Sequence, residues 1–192
     1  MFIEPGFPLA GRGWIEVICG SMFSGKSEEL MRRLRRARIA NLRAGIFKPV
    51  TDTRYHPENI VSHDENSIPS IPVADAATIL EKASAVDVVA IDEAQFFDDA
   101  LAEVCDRLAI QGTRVIVAGL DMDYLGRPFG PMPALLAKAE YITKLHAICM
   151  QCGNIANYSY RKSGSDEQML IGNQEYYEPR CRICYEKGDL LK

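Results

Sequence analysis

The chain has 192 residues, of which 47% are hydrophobic and 25% charged, with a formal net charge of -4 at pH 7. This length suits one ordinary domain with a small appendage, and the composition is typical of a globular protein. The net negative charge argues against a nucleic-acid-binding protein, because such proteins usually have a basic surface. No apolar run reaches the roughly eighteen residues that a membrane span needs.

The first residues, "MFIEPGFPLAGRG", contain Pro and Gly but lack the basic region and long apolar core of a secretion signal. We therefore expect residues 1–13 to form a flexible arm. The expected location of the protein is the cytoplasm, where paired disulfides are rare.

The first three-quarters of the chain alternate between predicted strands and helices. Strands are predicted at "WIEVICG", "AGIFKPV", "VDVVAIDEA" and "TRVIVAGLD". Helices are predicted at "SEELMRRLRRARIANL", "VADAATILEKA" (capped by Asp75) and "DDALAEVCDRLAIQG". This order, with fully apolar strands, predicts an α/β fold whose parallel sheet is covered on both faces by helices.

The first predicted helix carries an apolar stripe and a set of arginines. The stripe consists of Leu30, Leu34, Ala37 and Leu42. We expect the arginines to form a solvated face, with a phosphate or partner contact as the alternative; they are Arg32, Arg33, Arg35, Arg36 and Arg38.

The stretch "CGSMFSGKS" lies between the first strand and the first helix. Its outline, Gly20-x-x-x-x-Gly25-Lys26-Ser27, is that of a phosphate-binding loop. Glycines let backbone N–H groups turn inward, and the helix N-terminus favours an anion. The predicted nucleoside triphosphate site comprises Gly20, Ser21, Met22, Phe23, Ser24, Gly25, Lys26 and Ser27, with Ser27 also expected to ligate Mg²⁺. A glycine turn without a ligand is the alternative.

Two acids follow the third predicted strand. Asp92 ends the apolar run and is expected to hold Mg²⁺, directly or through water. Glu93 faces differently and could act as a general base on an attacking hydroxyl or water. The alternative for Glu93 is a helix-capping or surface acid, and the pattern does not separate an ATPase from a kinase.

Apolar side chains gather where the strands are expected to end. They are Met22, Phe96, Phe97, Leu120, Tyr124 and Phe129. Each alone is more often core than pocket, but together they suggest a flat apolar slot for a base ring.

Four of the six cysteines form two Cys-x-x-Cys pairs, Cys149 with Cys152 and Cys181 with Cys184, with 28 residues between the pairs. Two such knuckles predict a tetrahedral zinc site. Redox motifs or buried thiols are the alternatives. Cys19 and Cys105 are expected to be small core residues. The organisation predicted is a nucleotide-binding domain at 14–148 and a zinc-binding domain at 149–192. The polar, irregular stretch at 51–67 is expected to be either a mobile functional loop or a partly disordered insertion.

The combination of "GSMFSGKSEEL", "KPVTDTRY", "IDEAQFF", "GLDMDYLGRPFG" and the cysteine pairs resembles the zinc-containing, type II thymidine kinases over almost the whole chain after residue 13. The resemblance implies a P-loop, RecA-like sheet and transfer of the γ-phosphate of ATP to the 5′-hydroxyl of thymidine or deoxyuridine. It implies that Glu93 is the catalytic base. Lys26, Ser27 and Asp92 would form the phosphate and magnesium set, with Asp52 and Arg54 contributing nearby.

The resemblance also implies how the base is held. Met22, Phe96, Leu120, Tyr124 and Phe129 would pack against it, and a lasso loop at 168–177 would close over it through Leu170, Ile171, Gly172 and Tyr177. Many family members have Phe where Tyr124 stands, and a hydroxyl in an apolar slot needs a partner. The zinc would be structural, and a homotetramer inhibited by dTTP would be expected.

Three other functions fit parts of the pattern. The first is a P-loop ATPase that acts on nucleic acid, but the acidic balance and the missing basic aromatic groove argue against it. The second is a zinc-ribbon switch that binds nucleotide without phosphoryl transfer. The third is a kinase for another small hydroxylated acceptor.

Overall fold

A computed structural model of the chain describes residues 13–51, 59–61, 67–162 and 176–189. The strands are β1 Trp14–Gly20, β2 Ala44–Pro49, β3 Asn59–Val61, β4 Ser67–Pro69, β5 Ile71–Val73, β6 Val88–Ile91, β7 Arg114–Gly119, β8 Tyr141–Leu145, β9 Ala147–Ile148, β10 Ile155–Ala156, β11 Tyr158–Arg161 and β12 Tyr177–Arg180. The helices are α1 Lys26–Ile39, α2 Ala76–Lys82, α3 Leu101–Ile110, α4 Met132–Lys138 and α5 Arg182–Asp189, with a short 3-10 helix at Ala94–Phe96.

The main sheet has six strands in the order β5-β2-β6-β7-β1-β8, and every neighbouring pair is parallel. The predicted α/β class is therefore confirmed. Gly20, Ile91 and Gly119 end adjacent central strands, so the residues after them meet at one edge of the sheet. Ligands bind at this carboxyl edge in open α/β sheets.

Helices cover both faces of the sheet, as the apolar strands predicted. On one face, Leu30 and Leu34 of α1 pack with Ile18 of β1, and all three are fully buried. On the other face, α2, α3 and α4 cover Val17 and its neighbours. Cys19 and Cys105 lie in this second cluster, which confirms them as core residues. Burial raises the pKa of Cys105 to about 12, so its thiol stays protonated.

The arginines of α1 are not all solvated. Arg35, Arg36 and Arg38 are exposed, as expected, but the expectation is wrong for Arg33, which is fully buried. Arg33 Nη1 donates to the buried Glu16 carboxylate over 2.8 Å. A charged side chain can be buried when it has a partner of opposite charge. The ion pair between Arg33 and Glu16 therefore connects α1 to β1 inside the core.

Sequence signals predicted the start of α2 correctly but did not predict every strand. The side chain of Asp75 accepts from Thr78 N, which confirms the predicted cap of α2. In the 51–67 stretch, Asn59–Val61 pairs antiparallel with Ser67–Pro69. Strand β8 was not predicted, because this edge strand is mostly exposed and has no continuous apolar run.

After β8, the chain forms a small lobe from residues 147–162 and 176–189, here called the zinc lobe after the metal site predicted for its cysteines. It contains the hairpins β9–β10 and β11–β12, followed by α5. In the part of the chain that the structure describes, no helix is both long and apolar enough to span a bilayer.

Candidate active site

The predicted phosphate loop connects β1 to α1 in a conformation that requires glycine at both ends. Gly20 has φ 142°, and a Cβ there would lie 2.2 Å from the main-chain oxygen of Leu145. Gly25 has φ 84° and precedes the first residue of α1. Ser24 Oγ and Lys26 Nζ each donate to the main-chain oxygen of Ser21 over 2.8 Å. The loop therefore folds over a lysine at a helix N-terminus, the arrangement that binds phosphate.

The acid pair lies beside this loop. The hydroxyl of Ser27 is 3.3 Å from Asp92 Oδ2, so the predicted magnesium ligands from α1 and from the end of β6 meet. Asp92 is 6% exposed. Hydroxyl and carboxylate oxygens are the donor set that Mg²⁺ prefers, and these two residues fit such an ion.

Glu93 has a strained backbone. It lies in the left-handed region at φ 52° and ψ 41°, and its N–H donates to Asp92 Oδ1 over 3.0 Å. Left-handed geometry at a non-glycine residue costs free energy and often marks a functional site. The side chain of Glu93 is half-buried, and the different roles predicted for the two acids remain predictions.

The zinc lobe contacts the phosphate loop directly. Met22 N donates to Ser159 Oγ over 3.0 Å, and Ser21 Oγ lies 3.5 Å from the main-chain oxygen of Ala156. Phe23, with φ 63°, packs against the small cluster that contains Cys149. The sequence motif predicted Phe23 as part of the phosphate loop but did not indicate that its ring joins the core of the zinc lobe.

The residues predicted to hold a base fall into two groups. Phe96 and Phe129 form an edge-to-face pair, with ring centroids 5.7 Å apart. Leu120 follows β7 and is 8% exposed. The two rings are nearly perpendicular, so they form two walls of an apolar corner in which the face of only one ring could stack on a planar ligand.

Tyr124 and Tyr177 form the second group around a buried arginine, Arg161, that no sequence motif indicated. The guanidinium of Arg161 lies 3.5 Å from the centroid of the Tyr124 ring. Arg161 Nη2 and Nε also donate to the Tyr177 hydroxyl, over 2.6 and 3.2 Å. The Tyr124 ring is therefore a stacking surface for a cation as well as a candidate contact for a base.

A further polar contact at this edge had no signal in the sequence. Lys144 Nζ of β8 lies 2.6 Å from the buried Asp121 carboxylate, after β7. Burial raises the pKa of the nearby Cys19 to about 11, and Asp121 adds to this although Lys144 and Lys26 lower it. The thiol beside the phosphate loop is therefore neutral at physiological pH. Asp121 is part of the "GLDMDYLGRPFG" motif, but its partner on an unpredicted strand had no local signal.

The four paired cysteines meet in the zinc lobe. Their sulfur atoms all lie within 4.8 Å of one another, with Cys152 and Cys181 3.6 Å apart. A tetrahedral zinc with Zn–S of about 2.3 Å needs sulfurs about 3.8 Å apart, so the thiols fit this ion. Burial raises the pKa of Cys149, but hydrogen bonds from the backbone of Cys181, Gln151 and Cys152 outweigh it and lower the pKa to about 6. A thiol that ionises readily is a good metal ligand.

Five predicted site residues lie outside the described part of the chain. They are Asp52, Arg54, Leu170, Ile171 and Gly172. Their assignments remain predictions.

A parallel α/β sheet, a phosphate loop before α1 and a strand-end acid beside its serine together define a P-loop nucleotide-binding protein. The sequence model of the family described as thymidine kinase matches residues 13–185. The chain belongs to the thymidine kinase family, and it is therefore an enzyme of the kinase class.

Curated relatives named thymidine kinase are similar over most of their length. The protein of Bacteroides fragilis is 58% identical over 177 residues, which cover 92% of this chain and 89% of the relative. That of Porphyromonas gingivalis is 58% identical over 176 residues, covering 92% and 86%. That of Rhodothermus sp. is 59% identical over 174 residues, covering 91% and 82%.

Proposed function

We propose that the protein transfers the γ-phosphate of ATP to the 5′-hydroxyl of thymidine, and also of deoxyuridine, giving the nucleoside monophosphate and ADP for pyrimidine deoxynucleotide salvage. Family membership supports the acceptor. The observation that carries the chemistry is the 3.3 Å approach of Ser27 Oγ to Asp92 Oδ2, which sets the acids against the phosphate loop. We also propose that the protein is located in the cytoplasm, where ATP, the proposed donor, is available.

In this mechanism, the loop N–H groups and Lys26 bind the β- and γ-phosphates. Magnesium, held by Ser27 and Asp92 with Asp52 nearby, would neutralise phosphate charge when bound. Glu93 accepts the proton of the 5′-hydroxyl as that oxygen attacks the γ-phosphorus. The bond from the γ-phosphorus to the bridging oxygen breaks, and ADP leaves with the electron pair.

The base would pack against Phe96, Phe129, Leu120, Met22 and Tyr124, with Tyr177 and the 168–177 loop closing over it. Zinc held by the four clustered cysteines would supply structural cross-linking between the two ends of that loop. Arg54 would contribute near the phosphates. We propose that residues 14–148 and 149–192 form two domains. From the family resemblance, we also propose that the protein is a homotetramer and that dTTP inhibits it.

The test is phosphoryl transfer from γ-labelled ATP with Mg²⁺ to a panel of nucleosides. We expect labelled monophosphate from thymidine and deoxyuridine, and little from deoxycytidine or purine nucleosides. Glu93→Gln should lower kcat by about 10²- to 10⁴-fold, the range of general base catalysis, while ATP still binds. Glu81→Gln, an exposed acid on α2, is the matched control. Hydrolysis of ATP without a labelled nucleoside would refute the kinase proposal in favour of an ATPase.

A further inference from the structure

Gln95 is buried beside the acid that we propose as the base. It is the middle residue of the short 3-10 helix Ala94–Phe96 and is 2% exposed. Its amide Nε2 donates to Glu93 Oε2 over 2.6 Å. Its Oε1 accepts from the main-chain N–H of Leu120 over 2.9 Å. One side chain thus joins the carboxylate after β6 to the backbone after β7.

The orientation of this amide is determined by its surroundings. The N–H of Leu120 is only a donor, so it requires the oxygen of the amide, and the amide nitrogen must then face Glu93. The fit is also tight. A Cβ at Gly119 would lie 3.0 Å from Gln95 Oε1, and a Cβ at Gly130 would lie 2.4 Å from the main-chain oxygen of Gln95. Rotation of the amide would leave a buried N–H without an acceptor, which is costly.

Glu93 needs such a partner because its side chain has several rotatable bonds and is only half-buried. A catalytic group acts efficiently only when it is held within about 0.5 Å of its productive position. A hydrogen bond to Oε2 holds that oxygen in place and so limits the orientations that the carboxylate, and with it Oε1, can adopt. The short 2.6 Å distance is that of a bond strengthened by the charge of the acceptor.

We propose that Gln95 is a positioning residue that orients the carboxylate of Glu93 towards the acceptor hydroxyl, using the backbone of Leu120 as its anchor. This inference rests on the proposed function, in which Glu93 is the base. It predicts a loss in the chemical step. Substrate binding should change little, because Gln95 itself touches neither nucleotide nor nucleoside in this mechanism.

Two substitutions separate this role from a purely structural one. Gln95→Glu retains the size of the side chain and the acceptor for Leu120 N–H, but replaces the donor to Glu93 with a second carboxylate. Gln95→Met has a similar volume and removes both hydrogen bonds. We expect kcat for thymidine to fall by about 10²-fold in each variant, the typical cost of a misplaced catalytic group. KM values for thymidine and ATP should stay within about threefold of the wild type.

The decisive measurement is a double-mutant cycle with Glu93→Gln. If Gln95 acts through Glu93, then Gln95→Met should cost less than about twofold in kcat when Glu93 is already replaced. Thermal unfolding of each variant accompanies the kinetics. An equal loss of kcat in both backgrounds, or an activity of Gln95→Glu equal to the wild type, would overturn the inference while leaving the proposed function intact. A wild type that does not phosphorylate thymidine would overturn both.

Discussion

The main-chain N–H of Met22 donates a hydrogen bond to Ser159 Oγ over 3.0 Å, and this contact joins the phosphate loop to the zinc lobe. Phe23, the next residue, packs into the cysteine-containing cluster of the same lobe. The lobe therefore supports two consecutive residues of the loop that we propose to bind ATP. Its integrity should influence nucleotide binding as well as nucleoside binding.

Replacing Ser159 tests this contact. Ser159→Ala leaves a partly buried N–H without this acceptor, which costs about 1–3 kcal/mol of loop stability. We expect the less ordered loop to bind ATP about fivefold more weakly, because binding must then also order it. Calorimetric titration with a non-hydrolysable ATP analogue measures it. Ser159→Thr retains the hydroxyl and is the control, expected to bind within about twofold of the wild type. Equal affinities for all three proteins would contradict the prediction.

Removal of zinc tests the contact between the phosphate loop and the zinc lobe by disturbing the lobe. We expect the purified protein to hold one zinc ion per chain, and a chelator should release it and weaken binding of the ATP analogue by about tenfold, because Phe23 loses its packing surface. Readdition of zinc should restore the affinity. Unchanged nucleotide affinity in the metal-free protein, confirmed by metal analysis, would rule out this coupling.

Arg161 should control nucleoside affinity through two tyrosines. Arg161→Lys retains the charge but loses the planar stack on Tyr124 and the two bonds to the Tyr177 hydroxyl. We expect KM for thymidine to rise about tenfold with kcat within about twofold. The control is Arg180→Lys, since Arg180 also stacks on a ring of the zinc lobe, 3.4 Å from the centroid of Tyr160, and donates to Glu178. Parallel rises of KM in both variants would point to general loosening of the lobe instead.

Breaking the buried ionic cluster around Glu16 should lower the free energy of unfolding substantially. Glu16 accepts from Arg33 Nη1 over 2.8 Å and from Arg114 Nε over 2.6 Å, and all three side chains are at most 2% exposed. Glu16→Gln leaves both guanidiniums without this charge, and we expect a loss of about 3–5 kcal/mol in the free energy of unfolding, measured with denaturant. Adding Arg114→Met should recover part of that loss. A cost below about 1 kcal/mol for Glu16→Gln would contradict the prediction.

Glu29 should contribute stability that depends on pH. Burial raises the pKa of Glu29, but hydrogen bonds from Arg32 and Arg33 outweigh it, so the net pKa lies below 4.5. A depressed pKa in the folded state adds stability above the unfolded pKa, and this is lost as the pH falls through the folded value. Because solvent screens this partly exposed carboxylate, Glu29→Gln should cost at most about 1 kcal/mol at pH 7. The difference from wild type should shrink as the pH falls below about 4.5, the pKa of an unperturbed glutamate. The exposed Glu81→Gln is the control, and a gap that stays constant down to pH 3 would refute this assignment.

The order of strands and helices, the phosphate loop and the cysteine pairs could be predicted from the sequence because each is encoded locally. Buried parallel strands need continuous apolar runs, a phosphate cradle needs glycines at set positions, and a metal knuckle needs two thiols a few residues apart. Strand β8 had no such signal, because one side of an edge strand has no partner strand to bury it.

The sequence by itself determined which residue types carry the chemistry, and only the tertiary structure decided which of them meet. Arg33 was expected to be exposed because it is charged, although it borders the apolar stripe of α1, and only the structure places the buried Glu16 carboxylate beside it. Arg161 and Tyr124 are far apart in sequence, and so are Gln95 and Leu120, yet both pairs are in contact. The physical reason is that contacts between distant segments depend on how the sheet and the zinc lobe pack, whereas periodicity and motif spacing record only neighbours along the chain.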